Sequence, residues 1–184
     1  MVTQLVVITG PSGVGKGTLK QRLLEELQLP ESVSATTRSP REGETNGVEY
    51  HFLSREEFEK RRASDQFLES AEYAGNLYGT LRDEVENRAD GARAVVLEIE
   101  TRGAEQVRDR VSDAILIFIS PPSPEELRRR LVGRGTDSPE QIEKRLGEAE
   151  RELSLQDEFD LVVINDDLES AVSELVQAVR GKLR

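Results

Sequence analysis

Gly10-Pro11-Ser12-Gly13-Val14-Gly15-Lys16-Gly17-Thr18 gathers the residue types that hold a polyanion, and it stands directly behind the apolar run Leu5-Val6-Val7-Ile8. Glycines without Cβ let successive backbone N–H groups turn toward one anion. The start of the following helix adds partial positive charge, and Lys16 reaches terminal phosphates. Strand, glycine loop and helix in this order form a phosphate-binding P-loop, so the expected ligand carries a triphosphate. The general pattern puts Ser or Thr directly after the lysine to meet magnesium. Here Gly17 holds that place and Thr18 follows, which makes Thr18 the candidate magnesium contact.

A second anion site is legible in Ser34-Ala35-Thr36-Thr37-Arg38-Ser39-Pro40-Arg41-Glu42-Gly43-Glu44, where two arginines stand three apart around an X-Pro bond that disfavours helix. Two guanidinium forks converging from an extended loop can hold a phosphate by paired N–H bonds, with Tyr50 and Tyr78 as hydroxyl donors. The plainer alternative is a solvated basic loop. Glu98-Ile99-Glu100 closes another apolar run, and strand alternation places both carboxylates on one face. His51, the sole histidine, alternates away from the face of Tyr50 and is expected to be structural.

Positioning these groups takes a rigid frame. Leu5 to Thr9, Ala94 to Leu97, Ala114 to Ile119 and Leu161 to Ile164 are continuous apolar runs, as in strands covered on both faces. Helical patterns follow at Thr101 to Arg110, Pro124 to Val132 and 168–183, with Asp166 or Asp167 ready to cap the last. The alternation predicts a parallel α/β sheet with ligands at the carboxyl ends of its strands. Residues 34–80 break the rhythm: Val48 to Leu53 and Phe67 to Tyr78 read as short strands around a charged helix at Arg55 to Arg62. Pro124 to Arg151 holds seven basic and seven acidic residues, and Gly133-Arg134-Gly135 there can hinge a mobile lid. The expected division is a core of 1–33, 81–123 and 152–184, an inserted subdomain of 34–80 and a helical lid of 124–151.

At 184 residues the chain suits one domain. Its 25 Lys and Arg against 36 Asp and Glu give a net charge of −11, which opposes binding to nucleic acid or an anionic membrane. There is no cysteine, so disulfides and thiolate metal sites are excluded. No stretch reaches membrane-spanning length, and the expected location is the cytoplasm.

The variant Gly15-Lys16-Gly17-Thr18 resembles nucleoside monophosphate kinases. The resemblance sharpens when Thr36-Thr37-Arg38-Ser39-Pro40-Arg41, Tyr50, Glu69, Tyr78-Gly79-Thr80, Gly133-Arg134-Gly135, Lys144-Arg145-Leu146 and Asn165-Asp166-Asp167 are added, for this is the order of guanylate kinases. It covers the chain from Leu5 to the final helix. The resemblance implies a P-loop NTPase fold with an inserted nucleoside-monophosphate subdomain and a helical lid. It implies transfer of phosphate from ATP to GMP, and to dGMP, with Mg2+; the expected partners are these nucleotides, with no nucleic acid and no membrane, and the expected state is a monomer or homodimer. It assigns Gly10 to Thr18, Arg130, Arg134 and Asn165 to ATP. Ser34, Arg38, Arg41, Tyr50 and Tyr78 go to the GMP phosphate, Glu69, Gly79 and Thr80 to guanine, and Glu98 and Glu100 to guanine and magnesium. Lys16, Arg41, Arg134 and Arg145 supply the catalytic positive field. Two residues depart from the family pattern: glutamates stand at 98 and 100, where aspartates are common, and Arg102 replaces a glutamine. The competing reading is a catalytically silent guanylate-kinase-like interaction module, against which the retained Lys16, Arg134 and Arg145 speak. The same fold acting on another monophosphate, such as AMP, is a third.

Overall fold

The computed structural model describes residues 4–133, 135 and 137–183. Strand β1 (Gln4–Thr9) is buried along its whole length and leads through the glycine loop into helix α1 (Lys16–Leu27), which buries Leu19 and Leu23. Next come β2 (Ala35–Thr36), β3 (His51–Phe52), α2 (Arg55–Ala63), β4 (Phe67–Tyr73) and β5 (Asn76–Leu81). Helix α3 (Arg82–Ala89) precedes β6 (Ala94–Glu98), α4 (Thr101–Arg110) and β7 (Ile115–Ser120). The chain closes with α5 (Pro124–Gly133), α6 (Pro139–Leu153), a 3-10 turn at Gln156–Glu158, β8 (Leu161–Ile164) and α7 (Leu168–Lys182).

The four apolar runs form one parallel sheet in the order β6-β1-β7-β8. Alternation splits their side chains between two layers. Val6, Ile8, Ile117 and Ile119 pack with residues of α1 and α7, while Val7, Leu97 and Leu116 pack with Ala104 and Val107 of α4. Helices therefore cover both faces, which is why these strands carry no polar alternation. Of the two candidate caps for α7 the structure selects Asp167, whose Oδ1 accepts from Ser170 N at 2.9 Å. Among the described residues no helix is long and apolar enough to cross a membrane.

A second sheet, ordered β3-β2-β5-β4, has its own apolar cluster of Ala35, Phe58, Phe67, Leu77 and Leu81. Its edge strand β4 is tied to α4 by Arg110, which donates from Nη1 to Phe67 O and Leu68 O, both at 2.9 Å, and by Gln106. Gln106 Oε1 accepts from Ser70 N at 3.2 Å and Gln106 Nε2 donates to Ser70 O at 3.1 Å, replacing a strand partner with an amide. Helices α5 and α6 pack through Leu127, Leu131, Ile142 and Ala149, and α6 opens with a capping box at Ser138 and Gln141.

One expectation needed correction, and one helix went unread. The strand expected at Val48 to Leu53 shrinks to His51–Phe52, because Asn46 and Gly47 build a turn in which Gly47 N donates to Tyr50 O at 2.8 Å. Helix α3 carries no apolar stripe: only Val85 is buried, so periodicity gave no signal. Its support is electrostatic, with Asp83 and Glu84 in the first turn, Arg88 in the last, and Arg88 Nε 2.8 Å from Glu84 Oε1.

Candidate functional site

The glycine loop is seated on the end of the core sheet by the absence of a side chain. Gly10 has φ 138°, and a Cβ there would collide with the carbonyl of Ile119. Lys16, the first residue of α1, donates from Nζ to Gly10 O at 2.6 Å and Pro11 O at 3.1 Å. From this loop a cleft of about 920 Å³ runs to the second sheet. Its lining brings Gly10, Ser12 and Lys16 together with Ser34, Arg38, Arg41, Tyr50, Glu69, Tyr78, Gly79, Glu98, Glu100 and Arg145. Residues from both candidate anion sites thus share one cavity.

In the second basic loop the two arginines differ. Arg38 is held by Glu44, Nη1 to Oε2 and Nη2 to Oε1 both at 2.9 Å, and its guanidinium lies 5.4 Å from the Tyr50 ring centroid. Glu44 Oε2 also accepts from Arg41 N at 2.7 Å, so one carboxylate shapes the whole turn. The Tyr50 and Tyr78 rings meet edge-on with centroids 6.1 Å apart. His51 faces Glu84, Nε2 to Oε2 at 3.2 Å.

At the far end of the cleft Glu69 is only 4% exposed and Thr80 only 1%. Thr80 Oγ1 donates to Glu69 Oε1 at 2.8 Å. The other oxygen, Oε2, lies against α4 at Gly103, where a Cβ would come within 2.5 Å of it. Burial pushes the Glu69 pKa up to about 7, against the pull of the Thr80 hydrogen bonds.

Around Lys16 the cleft is acidic. Glu148 and Glu152 of α6 join Glu100 there, and burial followed by the field of Glu100 raises Glu152 to about 7. Glu100 is itself raised, by burial first, while Lys16 opposes the shift. Arg145 spans from α6 to the glycine loop, Nη1 donating to Ser12 Oγ at 2.8 Å, with Nη2 3.3 Å from Asp137 Oδ1.

The remaining expected residues lie outside the cleft lining. Val14 is buried in the core, and Asn165 Nδ2 donates to Val14 O at 2.7 Å. Arg130 gives its donors to Glu126, to Asn165 O at 2.9 Å and to Val14 O at 3.4 Å, which braces the loop against the end of β8. Pro11, Gly13, Gly15, Gly17 and Thr18 belong to the loop and the first turn of α1, where Gly17 and Thr18 are exposed. Arg134 lies outside the described residues.

The sequence profile described as Guanylate kinase matches residues 2–182. The chain belongs to the guanylate kinase family. A guanylate kinase of Trichormus variabilis is 52% identical over 179 residues, covering 97% of this chain and 90% of that protein. One of Thermus thermophilus is 51% identical over 181 residues, covering 98% and 82%. Among solved structures, the guanylate kinase of Anaplasma phagocytophilum superposes with a TM-score of 0.77 at 33% identity, across 98% of this chain and 86% of that one. A shikimate kinase of Bacteroides thetaiotaomicron, at 16% identity and a TM-score of 0.53, shares the fold. The α/β P-loop architecture expected from the sequence is therefore the architecture found.

Several lining residues of this guanylate kinase fold were not singled out in the sequence. Lys20 lies one turn after Lys16, and Glu148 and Glu152 lie on the same stretch of helix as Arg145. Helical spacing of three to four was the available signal in each case. Glu44 had none, since an irregular loop has no period.

Proposed function

We propose that this chain transfers the γ-phosphate of ATP to GMP, yielding ADP and GDP. The observation that carries the reading is one cleft lined by a P-loop lysine, a pair of arginines and the buried carboxylate of Glu69, with Thr80 bonded to that carboxylate from outside the lining. Guanine presents N1–H and N2–H₂ as donors, which a Glu69 carboxylate accepts together, while the Thr80 hydroxyl would turn from Glu69 to donate its one proton to O6. Adenine offers an acceptor at the same position and would leave the buried acid unpaired, so it is rejected. Ser34, Arg38, Arg41, Tyr50 and Tyr78 hold the GMP phosphate. These residues address base and phosphate and leave the 2′-hydroxyl aside, so dGMP is accepted as well.

Phosphoryl transfer asks the protein for position and charge neutralisation rather than covalent help. Lys16, Arg41 and Arg145, joined by Arg134, provide the positive field around the migrating group. The glycine loop from Gly10 to Thr18 holds the ATP phosphates, and Arg130 and Asn165 steady the adenine end. The α5–α6 hairpin acts as the lid: Arg145 of α6 already reaches Ser12 of the glycine loop, and closure around bound nucleotides expels water, which limits wasteful hydrolysis of ATP. Thr18, Glu98 and Glu100 offer only oxygen donors, the set that suits Mg2+. Among the described residues no group of three or more acids or histidines is placed to hold a metal, so the ion would rest mainly on phosphate oxygens and water. When bound it neutralises charge on the phosphates. A chain without cysteine suits the reducing cytoplasm.

The test is a coupled assay for ADP with ATP, magnesium and either GMP or AMP. Rapid ADP formation with GMP alone is expected, and no turnover by folded protein would reject the activity. Gly103→Ala supplies an independent check, because its Cβ would stand 2.5 Å from Glu69 Oε2 and displace the base-reading acid. The KM for GMP should rise about tenfold, the value of a single misaligned hydrogen bond, while the KM for ATP stays unchanged.

A further inference from the structure

Lys20 stands on the same face of α1 as Lys16, one helical turn on, and lines the cleft. Its Nζ is 2.9 Å from Glu98 Oε2 and is also bonded to Glu31 Oε1. The three side chains are 16%, 29% and 34% exposed for Lys20, Glu98 and Glu31, so one cation is shared by two carboxylates in a sheltered corner.

The corner sits between the two anion sites. Glu98 is in register with Ile8, two residues before Gly10, and the backbone of Glu31 bridges to Val96 on the same strand. Toward the other site, Lys20, Glu31 and Glu98 line the same cleft as Ser34, Arg38 and Tyr50. Two uncompensated carboxylates here would repel any phosphate dianion brought between Arg38, Arg41 and Lys16. A cation is required to cancel them.

We infer that Lys20 is a positioning residue for the acceptor phosphate: it neutralises Glu31 and Glu98 and fixes the Glu98 carboxylate against the wall of the cleft. The inference rests on the GMP assignment above. Lys20 acts on charge, through Glu31 and Glu98 and not through the base-reading pair Glu69 and Thr80, so its removal discriminates between a nucleotide and its nucleoside. Like charges a few ångströms from a phosphate weaken its binding by about tenfold or more at the effective dielectric of a protein surface.

The experiment is calorimetric titration with GMP and, separately, guanosine, with melting temperatures recorded on the same samples. Lys20→Met should raise the GMP Kd at least about tenfold and leave guanosine unchanged. Lys20→Arg should restore GMP binding. Glu31→Gln, a change at a partly exposed residue that removes one negative charge, should tighten GMP binding severalfold in a protein that keeps Lys20. Equal shifts for GMP and guanosine, or no shift in either variant, overturn the inference and leave the GMP assignment standing. A wild-type protein that binds guanosine as well as GMP, or binds neither, overturns both.

Discussion

Lys16→Met lowers kcat about 10³-fold, the loss seen when one preorganised charge partner of a transition state is removed. The argument is geometric and electrostatic. Lys16 heads α1 and its ammonium already lies over the glycine loop, bonded to the carbonyls of Gly10 and Pro11. A triphosphate seated in that loop exchanges those carbonyls for β- and γ-phosphate oxygens, whose charge grows as the γ-group leaves. A point charge is needed there, and Lys16→Arg, with its larger planar fork, should rescue less than a tenth of the loss. The side chain is not part of either core cluster, so the melting temperature should stay within about 2 °C of the wild type. Steady-state kinetics read this directly. A fall of less than tenfold would remove Lys16 from the transition state.

Glu69→Gln should lower kcat/KM for GMP about 100-fold, corresponding to about 3 kcal/mol for charge-assisted hydrogen bonds lost and one amide donor now facing a donor. The effect on stability runs the other way. Burial holds Glu69 at about 7 in the fold against an ordinary 4.5, so between those values the folded protein keeps a proton that the unfolded chain has released. The stabilisation tied to that proton is complete below pH 4.5 and is lost as pH rises through about 7. Glutamine is uncharged throughout and can still accept from Thr80. The variant's melting temperature, relative to the wild type, should therefore climb between pH 5 and pH 8. In the wild type the KM for GMP should rise about tenfold per pH unit below pH 6, as the carboxylate that guanine needs is protonated. The variant's KM should be flat over that range. A wild-type KM independent of pH would contradict the role of an ionised Glu69.

The core was legible because its strands are unbroken apolar runs, a pattern that only a doubly covered parallel sheet rewards. Helix α4 could be bounded at Thr101 and Arg110 because Gly103, Ala104 and Val107 keep one face buried. Helix α3 was not legible, since a helix with one buried residue writes no period into the sequence. The same logic divides the site. Residues inside motifs, such as Lys16, Arg38 and Glu69, announce themselves by type and spacing. The carboxylates that set their environment do not: Glu44 grips Arg38 from an irregular turn, and Glu152 faces Lys16 from a helix whose charges look like a solvated surface. What the type and position of Arg130 did not tell is where its donors go in this structure, to Glu126 and to the Val14 and Asn165 carbonyls.

The central claim is spatial: two nucleotides lie end to end in one cleft, their phosphates meeting between Lys16 and the Arg38–Arg41 loop. Titration with adenosine and guanosine joined 5′ to 5′ through an oligophosphate chain tests it most directly. One molecule should bind per chain, at least about 10² times more tightly than ATP or GMP alone, and either Lys16→Met or Arg41→Met should abolish the gain. Two molecules bound per chain, or an affinity no better than that of the tighter single nucleotide, would contradict the claim.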